Sequence, residues 1–146
     1  MEIRQLRAAA GLSQEELSAR SGVAQPNLAA YESGSRTPSA AMLTRLHRAA
    51  PPRPSIALRR HRDAIIAIAS RHKAHDVRVF GSTARGVDTS GSDLDLLVRM
   101  EPDADAFDLA ELIEDLKDVT GVDVDVVSEA ALRPTSRSIS DQARPV

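Results

Sequence analysis

Two small domains are predicted from this sequence: an all-α bundle, then an α/β (α+β) core in which helices flank a short mixed sheet. Three observations carry the prediction. Residues 51–54 read Pro-Pro-Arg-Pro, and three prolines in four positions cannot continue a helix but favour an extended, semi-rigid spacer. Before them, apolar residues recur at helical spacing; after them, short β-branched runs alternate with helical stretches. The charge is also uneven. Residues 1–75 hold 12 Lys and Arg against 5 Asp and Glu, and residues 76–146 hold 7 against 16. A basic half suits nucleic acid, although two such halves could equally well attract each other.

The 146 residues leave room for one ordinary domain or two small ones. With 42% hydrophobic but only 2% aromatic residues, the cores must be built from Leu, Ile, Val and Ala. There is no cysteine, hence no disulfide framework and no thiolate metal site. His47, His61, His72 and His75 show no metal-ligand spacing. No apolar run approaches the roughly 18–20 residues that span a bilayer, and no signal-peptide pattern opens the chain. A cytoplasmic chain with no membrane partner is expected.

Glu2 to Ala10 reads as a helix, with Ile3, Leu6 and Ala10 at helical spacing and Gly11 closing it. Ser13-Gln14-Glu15-Glu16 fits a capping box, with Leu12 at the staple position. The second helix carries Leu17 and ends near Gly22; Ser21-Gly22-Val23-Ala24 is a tight turn. A third helix runs from about Gln25 to Glu32, with Pro26 in its first turn, where the missing N–H costs nothing. Thr37-Pro38-Ser39 opens a fourth helix, with Met42, Leu43 and Leu46 inward. Helix, tight turn, helix is the geometry that lays its second member in the major groove.

Gly11-Leu12-Ser13-Gln14-Glu15-Glu16-Leu17, Gly22-Val23, Tyr31-Glu32-Ser33-Gly34 and Arg36-Thr37-Pro38-Ser39 resemble the Cro/repressor (XRE-like) helix-turn-helix family over about residues 1–50. The resemblance implies DNA binding. By position Gln25, Pro26 and Ala30 face base edges with Asn27 beside them, while Gln14, Ser35 and Arg36 meet phosphate. Pro26, Ala29 and Ala30 leave few long polar side chains on the recognition helix, so specificity is expected from Gln25, Asn27 and DNA shape.

After the proline stretch, Ser55 is placed to cap a long helix to about His72, with Leu58, Ile65, Ile68 and Ala69 on one face. Arg59, Arg60 and Arg62 on that helix read best as a solvated face. Arg71, His72 and Lys73 precede the next strand. Val77-Arg78-Val79-Phe80 is a short strand that stops at Gly81 and small hydroxyl residues, a tight turn whose N–H groups can face a phosphate. From Ser92 to Met100, Leu94, Leu96, Val98 and Met100 share one parity, so Asp93 and Asp95 project together from the other. Side-by-side carboxylates repel unless a cation lies between them, and Mg²⁺ favours oxygen ligands of this kind together with substrate phosphates. Ala104 to Val119 is an amphipathic helix closed by Gly121. Val122 to Val127 is a third strand, valine on one parity and Asp123 and Asp125 on the other.

Gly81-Ser82, ten residues, then Asp93-Leu94-Asp95, with Arg85-Gly86 and Ser92 in between, resembles the minimal nucleotidyltransferases (MNT) of the polymerase-β-like superfamily. The resemblance implies a nucleotidyltransferase core over residues 55–134, after the linker 51–54 and a helix-turn-helix domain 1–50. Ala130 to Pro134 matches the family's short helix after the third strand. A polar, loosely held, partly helical tail, 135–146, follows.

The family's third carboxylate falls on Asp125, with Asp123 as the alternative. Asp93, Asp95 and Asp125 are thus the implied catalytic and metal-holding residues for two Mg²⁺ ions. Gly81, Ser82, Arg85 and Ser92 are the implied nucleotide-binding residues, with ATP as substrate. Arg85 fits a loop-to-helix salt bridge nearly as well.

Minimal nucleotidyltransferases commonly pair with a HEPN-type RNase toxin, to whose tyrosine hydroxyl they transfer AMP. The resemblance therefore implies an antitoxin that binds its own promoter as operator DNA and adenylylates a cognate toxin, as a homodimer or a hetero-oligomer with that toxin. The rival readings are a transcriptional regulator with a non-catalytic fold and a nucleotidyltransferase acting on tRNA or a small molecule such as an aminoglycoside. The three acids argue against the regulator, and the lack of a substrate domain after residue 134 argues against the small-molecule enzyme.

Overall fold

In the computed structural model, which describes residues 2–132 and 137–146, the chain begins with four helices. These are α1 (Glu2–Ala10), α2 (Gln14–Ser21), α3 (Gln25–Ser33) and α4 (Ala40–Ala49). Their ends lie where local chemistry puts them. Ser13 Oγ accepts from the Glu16 N–H at 3.0 Å, and Glu16 Oε2 accepts from the Ser13 N–H at 2.7 Å. This reciprocal cap satisfies donors that α2 leaves without intrahelical partners. Gly22 stops α2 at φ +73, a conformation that strains any other residue. Ile3, Leu12, Leu17, Leu28 and Leu46 close a core of their own.

Between α1, α2 and α3 lies a charged group. Glu32, with a side chain only 2% exposed, accepts from Arg7 Nε at 2.6 Å, Arg7 Nη2 at 3.0 Å and Gln14 Nε2 at 3.0 Å. Arg7 Nη1 donates onward to the Leu12 carbonyl. A buried carboxylate is tolerable when its lone pairs are engaged in this way.

The second core follows. Its elements are α5 (Pro54–Arg60), α6 (Arg62–Arg71), β1 (Ala74–Phe80), the single turn α7 (Gly81–Ala84) and β2 (Leu94–Met100). Then come α8 (Ala106–Thr120), β3 (Val124–Ser128), a 3-10 turn (Glu129–Ala131), α9 (Arg137–Gln142) and β4 (Arg144–Pro145). The sheet is mixed, in the order β3-β2-β1-β4, with β2 and β3 parallel and β1 antiparallel to both its neighbours. Leu94, Leu96 and Val98 of β2, Val79 of β1 and Val124 and Val126 of β3 pack against Ile65 and Ile68 of α6 and Leu112 and Leu116 of α8. Each such side chain contributes about 1.5–3 kcal/mol when fully buried. No helix among the described residues is long and apolar enough to cross a membrane.

Five features differ from the sequence expectation. Ser55 caps nothing: the helix begins one residue earlier, and the Ser55 backbone N–H donates to Asp88 Oδ2 at 2.8 Å. The expected long helix breaks at His61, because α5 packs on α1 and α8 while α6 serves β1 and α8. The proline stretch is packed rather than free. The Arg53 N–H donates to the Ala9 carbonyl at 2.9 Å, and Pro51 and Pro52 lie against Gly91 and Gly121. The tail is held: β4 extends the sheet at the edge of β1, and the Val146 N–H donates to the Val77 carbonyl at 3.2 Å. The expected helix over 130–134 is a 3-10 turn at its start; residues 133 and 134 lie outside the described residues.

The Arg7 guanidinium holds the Glu32 carboxyl below the usual carboxylate range, with Gln14 and Arg4 adding to the effect. Because the folded value is depressed, the pair's stabilisation is present above the ordinary carboxylate range and is lost as pH falls through the depressed value. Arg7→Ala should leave the buried Glu32 with only the Gln14 amide and the more distant Arg4, 3.6 Å away, to answer its charge, costing up to about 3 kcal/mol, comparable to the whole stability of so small a bundle. Thermal melts of the variant across pH check this: acidification should recover part of the loss by protonating Glu32.

Candidate active site and DNA-facing surface

Strand alternation builds the site. Leu94 and Leu96 turn into the core, so Asp95 between them faces away from it, half-buried. The parallel register puts Asp95 directly beside Asp125 of β3, and the antiparallel register puts it beside Phe80 of β1. Gly81 follows Phe80 at φ +70, and a Cβ there would collide with the Asp95 carboxylate, so only glycine admits the turn so close. The turn itself is helical, α7, rather than an open loop. The Val87 N–H donates to the Ser82 carbonyl at 3.0 Å and folds the following loop back over it.

Burial pushes the Asp95 carboxyl up from its ordinary value, and the neighbouring charges of Asp125 and Asp93 push it further; Arg85 opposes them. Asp93, Asp95 and Asp125 are thus one electrostatic group. Asp123 is exposed and lines a separate groove of about 470 Å³ with Pro51, Pro52, Ser92 and Lys117, while its backbone carbonyl accepts from the Leu94 N–H at 2.8 Å. Among the described residues no three His, Cys, Asp or Glu side chains close on a metal position by themselves. An oxygen-only set of this kind fits Mg²⁺, which binds through one or two carboxylates with substrate phosphates completing the shell.

The other nucleotide-site candidates are placed less uniformly. Ser82 is half-buried on α7. Arg85 is exposed, and its Nη1 donates to Gln142 Oε1 of α9 at 3.3 Å, a contact to a helix but not a salt bridge. Ser92 Oγ accepts from the Thr89 N–H at 3.0 Å, which makes it a brace of the loop. Sequence reasoning missed Asp88, a fully buried carboxylate. Its signal was a lone acid in a polar loop, with no local partner to mark it.

On the helical bundle, Gln25 and Pro26 are exposed at the start of α3. Asn27 is half-buried, and its Oδ1 accepts from Arg36 Nη1 at 2.9 Å. Ala30 is half-buried while Ala29 is exposed, because Leu28 and Glu32 set the inward face. Ser35 Oγ donates to the Ala30 carbonyl at 3.3 Å. The Gln14 amide is committed to Glu32. The structure therefore gathers Asn27, Ser35 and Arg36 at one end of the bundle and ties Gln14 to its core.

Comparison with known proteins adds a lineage. A family model described as a nucleotidyltransferase domain matches residues 61–145, and one described as helix-turn-helix matches residues 3–50. "Putative protein adenylyltransferase MJ0128" of Methanocaldococcus jannaschii is 33% identical over 76 residues, 52% of this chain and 74% of its own. A second protein of that organism, "Putative protein adenylyltransferase MJ0435", is 34% identical over 70 residues, 48% and 75% of the two chains. Among solved structures, one described as "Structure of putative minimal nucleotidyltransferase" superposes with a TM-score of 0.58 at 42% identity, over 63% of this chain and 95% of that one. Another, "Crystal structure of the toxin-antitoxin with AMP-PNP", shares the fold with a TM-score of 0.51 at 23% identity, over 57% and 69%.

The raised Asp95 carboxyl has a measurable consequence. A folded-state value above the unfolded one means that ionised Asp95 destabilises the fold, and this cost vanishes as pH falls below the ordinary carboxylate range. Asp95→Asn should therefore melt higher than wild type near pH 7 in EDTA, and the gap should close near pH 3. A variant that melts lower at neutral pH would contradict the electrostatic account.

Proposed function

The chain belongs to the nucleotidyltransferase domain family, and from that premise we propose that it is the antitoxin of a toxin–antitoxin pair. In this reading it binds its own promoter through residues 1–50 and, with Mg²⁺, transfers AMP from ATP to a tyrosine hydroxyl of a HEPN-type RNase toxin. The observation that carries the chemistry is the register of Asp95 with Asp125 behind the Gly81 turn. The names of the archaeal relatives and of the toxin–antitoxin neighbour support the choice of acceptor class. The helix-turn-helix match supports the DNA-binding part.

Asp93, Asp95 and Asp125 would hold two Mg²⁺ ions, which supply the charge that lowers the pKa of an attacking hydroxyl and steadies a leaving pyrophosphate. The chain's own residues do the rest. Gly81 lets the triphosphate approach the backbone of α7, and Ser82 donates to it. Arg85 adds a positive charge at the mouth of the site. Asp125, exposed on the edge strand β3, would accept the proton of the acceptor hydroxyl. Ser92 holds the loop that presents Asp93. Nothing in this set calls for a covalent enzyme intermediate.

Two experiments test the reading. With ATP, Mg²⁺ and the toxin, intact mass of the toxin should show one or more added AMP units. Asp93→Asn and Asp95→Asn should lower transfer by orders of magnitude while the chain still folds. Toxin neutralised without added mass, equally by wild type and by these variants, would mean that binding alone suffices and that the fold serves as a scaffold.

For DNA, Gln25→Ala should weaken promoter binding by about 1–3 kcal/mol and relax one base position. Arg36→Ala should weaken all sequences alike and reduce the salt slope by about one. Mobility-shift titrations at several salt concentrations read both. A fragment lacking residues 1–50 that binds the promoter as the whole chain does would sink the assignment.

A further inference from the structure

We propose that Asp88 is a positioning residue for nucleotidyl transfer: it clamps the loop that presents Asp93 onto the segment joining the two cores. The inference rests on the reading of Asp93, Asp95 and Asp125 as the transfer carboxylates, and it adds a residue outside that group together with a dependence on residues 51–55.

Asp88 has a fully buried side chain in an otherwise exposed stretch from Arg85 to Thr89. Its Oδ2 accepts from the Ser55 N–H at 2.8 Å. That N–H belongs to the first turn of α5, where helix donors have no intrahelical partner, and the N-cap residue Arg53 offers no side-chain bond. Asp88 thus caps α5 from 33 residues away. The Arg53 Nε lies 3.5 Å from the same oxygen, close enough to offset charge without making an aligned hydrogen bond.

Three further contacts run in the same direction. Ser90 Oγ donates to the Pro51 carbonyl, and the Gly91 N–H donates to the Pro52 carbonyl at 3.4 Å. Pro51 Cγ also lies 3.4 Å from where a Gly91 Cβ would stand. The loop is therefore sewn to residues 51–55 at Asp88, Ser90 and Gly91, and the next two residues are Ser92 and Asp93. On its other side this segment is joined to the helical bundle through the Arg53 N–H and the Ala9 carbonyl, 2.9 Å apart.

The chemical consequence is selective. The Gly81–Ala84 turn, which would receive the phosphates, continues directly from β1, and the Asp88 side chain contacts Ser55 and Arg53 rather than this turn. Asp93 lies just before β2 begins, at the end of the clamped loop, so its position depends on the clamp. Releasing the loop should misplace Asp93 while leaving the phosphate turn intact. A displacement of about 1 Å in a catalytic group can cost on the order of a hundredfold in rate.

The test uses the full chain with Asp88→Ala, Asp88→Asn and Ser90→Ala. In Asp88→Ala, kcat for AMP transfer should fall about 10- to 100-fold, with KM for ATP within about twofold of wild type. Asp88→Asn keeps an oxygen for the Ser55 N–H and should recover most of that loss; Ser90→Ala should fall in between. Amide hydrogen exchange provides a readout that needs no acceptor: in Asp88→Ala, faster exchange should be confined to residues 55–57 and 88–94.

If wild type transfers nothing, the proposed function fails, and the exchange pattern still decides the positioning role. Wild-type kinetics in Asp88→Ala, equal impairment in Asp88→Ala and Asp88→Asn, or faster exchange spread over the whole core would each overturn the proposal. If Asp88→Ala does not fold, Ser90→Ala carries the test, and wild-type kcat with unchanged exchange in it would likewise overturn the proposal.

Discussion

Carboxylates held side by side on adjacent strands are the constraint that the second core is built to bear. Asp95 and Asp125 oppose each other in the parallel register of β2 and β3, with Asp93 close by. Their mutual repulsion favours parting these strands, and burial makes the charge on Asp95 costlier still. What holds them is the other face of the same strands. Leu94, Leu96 and Val98, with Val124 and Val126, are packed under α6 and α8, and a one-residue slip would exchange the two faces entirely. The apolar alternation that makes the strands also fixes the acids in register.

A second buried charge, Glu32, is handled in the opposite way. It is surrounded by donors from Arg7 and Gln14, and its proton affinity falls, whereas that of Asp95 rises. The contrast separates a structural carboxylate from a reactive group by physics alone. A side chain whose charge is fully answered within the fold has little left to offer a ligand. One that is half-buried among like charges gains from any cation that arrives.

Much of this was legible in sequence because it is local. Ser13 and Glu16, Gly22, Pro26 and Gly121 set helix ends within a few residues of themselves, and period-two alternation around Asp95 needs only the strand. The choice of Asp125 over Asp123 came from the family pattern, and the registration of β3 on β2 puts Asp125 beside Asp95. The break at His61, the docking of β4 and the burial of Asp88 depend on partners 30 or more residues away and leave no local mark. Ala30 was expected to face base edges on helix position alone; it is half-buried, and its neighbour Ala29 is the more exposed of the two, since Leu28 and Glu32 take the buried positions.

The charge split does not follow the boundary between the two cores. Residues 1–50 hold 6 Lys and Arg against 4 Asp and Glu, so most of the basic excess lies in residues 51–75, which hold 6 against 1. That stretch runs through α5 and α6 of the second core to the start of β1, and just after α6 Lys73 pairs with Asp103 at 3.1 Å while His72 Nε2 lies 2.6 Å from Asp115. Among the described residues the ion pairs of residues 1–50 stay within the bundle, and the charge pair at the junction of the two cores is Arg53 with the buried Asp88, 3.5 Å apart. The rest of that junction is a strip of backbone groups and hydrogen bonds between Ala9, Pro51, Pro52, Ser55 and the loop from Asp88 to Gly91. Salt screens exposed charges but barely touches bonds of this kind. The two cores should therefore keep their relation at ionic strengths that strip a protein from DNA.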